Sequence, residues 1–348
     1  MVMAYCYFPK WLFLAAILAM HCCCCRRRFE AAAAVARKAR IPAVVVFGDS
    51  SVDAGNNNQI LTLLKSNFKP YGRDFSGSRP TGRFCNGRIP PDFISEGFGL
   101  KPAVPAYLDP MYNIKDFATG VCFASAGTGY DNATSDVLNV IPLWKEVEYY
   151  KEYQNKLRAY LGPRKANRIL RQALYLVSLG TNDFLENYYI FPRRRSQFTV
   201  EEYQDFLVGI ATNFFRELHS LGARKISLTG VPPMGCLPLE RATNIFGHNE
   251  CEDKYNKVAV QFNAKLKNMA TKLNEELSGL RLVFTDSVYD LVYDMLAGGH
   301  ALDEPSNSPH GLLTVIHWLI SKTNTWPAGK SGHVSSLSWF SSGNFFHR

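Results

Sequence analysis

Four short, almost unbroken apolar runs punctuate the chain: Ala43–Phe47 (AVVVF), Ala173–Gly180 (ALYLVSLG), Lys225–Val231 (KISLTGV) and Arg281–Ser287 (RLVFTDS). Runs without polar alternation predict strands buried on both faces, the condition of a parallel sheet. Between them the apolar step lengthens to three and four residues. Leu143–Leu161, Val200–Leu221 and Asp253–Leu277 read as amphipathic helices; the last shows Val258, Phe262, Leu266, Met269 and Leu273 on one stripe. Strands alternating with helices build βαβ units, so the expected fold is α/β, a three-layer α/β/α sandwich around a mainly parallel sheet. Ligands in such folds bind beyond the carboxyl ends of the strands. Lys69–Asp109 breaks the alternation, being dense in Pro, Gly and Arg, and predicts a long structured loop.

Composition refines this picture at the chain's ends. The 348 residues are 47% hydrophobic with a formal net charge of +9, and three of those charges fall within residues 1–36. That segment holds a ten-residue apolar core, Trp11–Met20, after Lys10, and small residues in EAAAAVA. It predicts a cleaved signal peptide and a secreted protein. Arg26–Arg28 is the wrong flank for a simple signal and leaves a retained anchor as the alternative. Arg193–Arg195 reads as a solvated loop, and no basic stripe interleaved with aromatics supports nucleic-acid binding. The residual positive charge leaves room for peripheral contact with a membrane or with cell-wall polymers. Five of nine cysteines lie in the first 25 residues, leaving Cys85, Cys122, Cys236 and Cys251. Cys236 and Cys251 could close a short loop or stay as two buried thiols. No spacing suits a metal, Asn132-Ala133-Thr134 is a candidate glycosylation site, and a monomer without a cofactor is expected.

Three polar clusters follow the apolar runs. Gly48-Asp49-Ser50 ends the first, and a serine there needs a base within hydrogen-bond reach to become a nucleophile. Cys122–Gly129 (CFASAGTG) contains Gly127, which could bring a backbone N–H close to a ligand. Ser178–Asp183 (SLGTND) offers the Asn182 amide. A serine with convergent N–H donors is the arrangement that stabilises an acyl-transfer oxyanion. The plainer alternatives are a turn at Gly127 and a helix cap at Asn182-Asp183.

Together, FGDSSVDAGNNN, PYGRDFSGSRPTGRFCNGRIPPDFI, FASAGTGYDNAT, SLGTNDF and GVPPMGCLP resemble the plant secreted GDSL esterase/lipases of the SGNH hydrolase superfamily. The resemblance spans residues 41–296. It implies a flavodoxin-like sandwich and hydrolysis of carboxylic esters, of lipids or other small acylated molecules, through an acyl-serine. It implies Ser50 as nucleophile, with the Ser50 N–H, the Gly127 N–H and the Asn182 side chain as oxyanion hole. Asp53 and Asn56 would brace the serine turn, and Cys236 and Cys251 match positions usually held by cysteine.

The resemblance also implies a histidine base with an aspartate three residues before it. None of the eight histidines has that aspartate. His300 and His310 are the remaining candidates for a base. Residues 298–348, rich in Ser, Gly and Asn, predict a divergent, poorly ordered tail on a C-terminally incomplete 41–297 domain. The alternative function is therefore a catalytically impaired or non-catalytic binding protein, or a truncated isoform.

Overall fold

The computed structural model describes residues 41–244 and 250–297. The leader, the tail, His300 and His310 lie outside the described residues. Five parallel strands form the sheet: β1 (Val44–Gly48), β2 (Gly120–Cys122), β3 (Leu174–Ser178), β4 (Lys225–Thr229) and β5 (Arg281–Thr285), in the order β2-β1-β3-β4-β5. This is the flavodoxin-like order, with its switch point between β1 and β3. The chain leaves β1 toward one edge and β3 toward the other, so a crevice opens at their carboxyl ends.

Alternation along β1 decides which core each side chain joins. Val45 and Phe47 enter the larger core with Tyr150, Phe123 and Phe214, whose rings meet Phe47 at 5.4–5.6 Å. Val44 and Val46 enter the smaller core with Val52, Ile89 and Ile94. Seven α-helices of seven or more residues are described: α1 (Pro90–Gly97), α2 (Asn132–Leu138), α3 (Leu143–Leu161), α4 (Pro163–Gln172), α5 (Val200–Ser220), α6 (Asp253–Glu276) and α7 (Ser287–Ala297). Residues of α3 to α6 cover the larger core. The smaller core is closed by α1 and by the Pro/Gly-rich segment around it. That segment is not wholly a loop, because α1 interrupts it. A buried ion pair braces it, Arg83 Nε to Asp92 Oδ2 at 2.9 Å, while Arg83 Nη1 reaches Ala54 O.

Two further expectations change. Arg193–Arg195 is not a solvated loop but the end of a helical turn, Pro192–Arg195. Arg193 and Arg195 are exposed, but Arg194 turns back onto Asp131, Nε to Oδ2 at 2.6 Å and Nη2 to Oδ1 at 2.8 Å. Strand β2 lies inside what reads as the approach to the Gly127 loop. Cys236 and Cys251 are disulfide-bonded, with Cα atoms 4.3 Å apart. No helix among the described residues is long and apolar enough to cross a membrane.

Candidate active site

Ser50 lies in the turn that leaves β1. Asp49 N donates to Ser178 O of β3 (3.1 Å), and Asp49 O accepts from Val52 N and Asp53 N (3.1 and 3.0 Å). The turn is thereby stapled across the switch point and wound into one tight loop. Gly48 makes it possible: its φ is 149°, and a Cβ there would strike Ser178 O and the Val52 side chain. The Asp49 carboxylate accepts from Ser51 N (2.9 Å) and Ser51 Oγ (2.7 Å), and Ser51 Oγ sits 2.8 Å from Ser178 Oγ. Ser50 itself is half-buried. Among the described residues its N–H and hydroxyl have no hydrogen-bond partner.

The asparagine string holds the second wall. Asp53 accepts from Gly55 N, Asn56 N and Ala126 N. Asn56 donates to Cys122 O and Ala124 O (2.9 and 2.8 Å) and accepts from Leu108 N. Asn57 donates to Ala126 O and Leu64 O and accepts from Ser125 Oγ. These side chains stand in for a missing strand, tying the serine turn to the chain beyond β2. Gly127 is buried at φ 87°, a Cβ there would meet Leu64, and its N–H also lacks a partner among the described residues. An unpaired buried N–H is rare in a folded protein.

The third wall is the exit of β3. Asn182 does not cap a helix: it makes no side-chain cap bond, and its Nδ2 donates instead to Thr128 O at 2.9 Å. Asp183 turns onto the same loop, accepting from Tyr130 N (2.8 Å), Asp131 N (3.0 Å) and Thr134 Oγ1 (2.7 Å). A π-helix, Asp183–Tyr189, follows. These bonds tie together the chain segments that carry Ser50, Gly127 and Asn182, beyond the carboxyl ends of β1 and β3. Among the described residues no three acidic, cysteine or histidine side chains are grouped to hold a metal. His219, at the C-terminal end of α5, contacts Ser278 O at the opposite end of the sheet from this wall.

The family model for GDSL-like lipase/acylhydrolase matches residues 44–318. GDSL esterase/lipase At2g42990 of Arabidopsis thaliana is 64% identical over 258 residues, covering 74% of this chain and 73% of the relative. The chain belongs to this family. GDSL esterase/lipase At2g04570 of the same plant is 66% identical over 247 residues, 71% of each chain. Among solved structures, a mutant acetyl-xylooligosaccharide esterase from Geobacillus Stearmophilus aligns with 15% identity and a TM-score of 0.35. It covers 80% of this chain and 93% of that one; the fold stands on the strand order alone. By family the GDSL protein is a carboxylic ester hydrolase. The family match also runs past Leu296, where the motif resemblance ends.

Sequence reasoning about this GDSL hydrolase undervalued two carboxylates. Asp183, read only as part of a helix cap, is one. Glu146 of α3 is the other, fully buried, with Oε2 accepting from Gly48 N at 3.0 Å and Oε1 without a partner among the described residues. Burial holds both above the usual carboxylate range, Asp183 to about 7 and Glu146 well up. Burial likewise raises Asp49 and Asp53 to about 6 against their donors. The native state therefore keeps protons that an unfolded chain releases near pH 4. Unfolding then releases protons between about pH 4 and 7, so stability falls as pH rises through that window. The melting temperature should be several degrees lower at pH 7.5 than at pH 5.5, and Glu146→Gln should shrink the difference. A flat or rising profile in the parent would contradict this.

Proposed function

We propose that Ser50 attacks the carbonyl carbon of an acyl ester and that the oxyanion is held by the Ser50 N–H, the Gly127 N–H and the Asn182 amide. A base outside the described residues, with His300 and His310 as the candidates, takes the serine proton and passes it to the departing alcohol, and water then releases the acid from the acyl-serine. The observation that carries the reading is the pair of N–H groups without a partner among the described residues, those of Ser50 and of buried Gly127, beyond the carboxyl ends of β1 and β2. Donors that have no partner among the described residues need no bond broken when negative charge develops beside them. Asn182, with one amide hydrogen on Thr128 O, retains a second for the same purpose. The substrate class is acyl esters of lipids or other small acylated molecules, and the apolar run Trp11–Met20 supports a secreted enzyme.

A phosphonate ester with an aryl leaving group tests this directly, since it captures an activated serine as a stable adduct. Mass spectrometry of the digested protein should place the adduct on the peptide containing Ser50, and none should form in Ser50→Ala. An adduct mapped to any other serine would overturn the assignment.

A further inference from the structure

The two motifs that the ester chemistry leaves unused, the arginine run and the Asn-x-Thr pattern, meet in one buried network. Arg194 forks onto both oxygens of Asp131. Asp131 also receives Tyr203 OH (3.1 Å) and Asn187 Nδ2 (3.2 Å), and its own Ala133 N. Asn187 Nδ2 lies within reach of Thr134 Oγ1 as well, and Thr134 Oγ1 donates to Asp183. Asp183 closes the circuit by gripping the N–H groups of Tyr130 and Asp131, and a Cβ on Gly129 would collide with its carboxylate. Five side chains drawn from α2, the π-helix, the Arg194 turn and α5 thus converge on residues 128–131.

We infer that Asp183, backed by the Asp131–Arg194 ion pair, is the positioning residue of the oxyanion pocket, fixing Gly127 against Asn182. The inference rests on the reading of those two groups as oxyanion donors. Its geometric ground is direct: Asn182 and Asp183 are consecutive, and between them they hold Thr128 O, Tyr130 N and Asp131 N, the chain immediately after Gly127. A carboxylate accepts from all three of its donors at once, whereas an amide at position 183 would turn one N–H onto another. Arg194 supplies the positive charge that lets two acidic groups share one buried space. The ionisable groups facing Asp183 are Asp131 and Tyr130 on the gripped loop, Tyr203 on α5 and Arg194 beyond Asp131.

The test compares the parent with Asp183→Asn and Arg194→Met on a short-chain aryl ester, and records backbone and side-chain amide NMR signals from pH 5 to 9. Losing the alignment of one oxyanion donor lowers turnover by about 10²–10³-fold. Asp183→Asn should show that fall in kcat with KM changed less than about twofold, and should lose any acid limb the parent has near pH 7. Arg194→Met, at a partly exposed edge, keeps every Asp183 bond and should fall by a smaller factor in the same direction. The Gly127 N–H and Asn182 amide signals should move together with one midpoint near pH 7 in the parent and in Ser50→Ala. That coupling should vanish in Asp183→Asn. Parent-like kcat and pH profile in a folded Asp183→Asn would overturn the inference. If Asp183→Asn does not fold, an unchanged kcat in Arg194→Met overturns it. Should hydrolysis prove independent of Ser50, the donor reading falls and the NMR decides alone: signals that do not follow Asp183 overturn the positioning role.

Discussion

Replacing Ser50 with alanine should lower kcat for a short aryl ester by roughly 10⁴-fold or more while leaving the melting temperature within about a degree of the parent. The catalytic loss follows from removal of the atom that forms the acyl bond; in serine hydrolases such losses reach about 10⁴–10⁶, with a residue left to the oxyanion donors. Stability should barely change, because the Ser50 hydroxyl has no hydrogen bond among the described residues and sits half-buried at the crevice. Kinetics beside calorimetry separate the two effects. Rates within tenfold of the parent would remove Ser50 from the chemistry.

Gly48→Ala should do the reverse, acting on the fold first. Gly48 adopts φ 149°, where an L side chain is strained, and its Cβ would lie on Ser178 O and 2.7 Å from Val52 Cγ2. Backbone strain adds about 1–3 kcal/mol, and overpacking a closed core adds about as much again. The Gly48 N–H on Glu146 and the Gly48 O bond to Ser125 N would be displaced with it. A melting temperature roughly 4–24 °C below the parent is expected, from about 2–6 kcal/mol in all at about 2–4 °C for each kcal/mol in a domain of this size. A change under about 2 °C would show that the turn relaxes freely. The pair of variants thus divides the turn into a residue that reacts and one that permits it.

The strands β1, β3, β4 and β5 were legible because apolar residues dominate them, with Ser227 the one polar residue inside any of the four. Strand β2 was not: three residues, one of them glycine, carry too little pattern, and pairing with Val44–Val46 and a bridge to Ala106 define it. Helix α4 escaped for the opposite reason, since Ala166 and Leu170 are its only buried residues among many charges. Of the proposed nucleophile and oxyanion donors, Ser50 and Asn182 stood out as polar residues after apolar runs and Gly127 as a glycine in a polar loop. Glu146 left a fainter trace, a carboxylate on the same helical stripe as Leu143, Val147 and Tyr150. Its neighbours Lys145 and Glu148 make that stretch look solvated. Arg194 had no local signal at all, because nothing within three identical residues distinguishes the one that turns inward.

The Thr134 hydroxyl, sealed against Asp183 and Asn187 in the finished fold, turns the candidate glycan on exposed Asn132 into a question of timing. An enzyme that reads Asn-x-Thr needs that hydroxyl, and the folded domain withholds it. Any sugar at Asn132 must therefore be attached while the chain is still open. Protein folded first and offered to such an enzyme afterwards should stay bare, and occupancy at Asn132 would then record how long residues 128–134 waited for Asp183 to arrive.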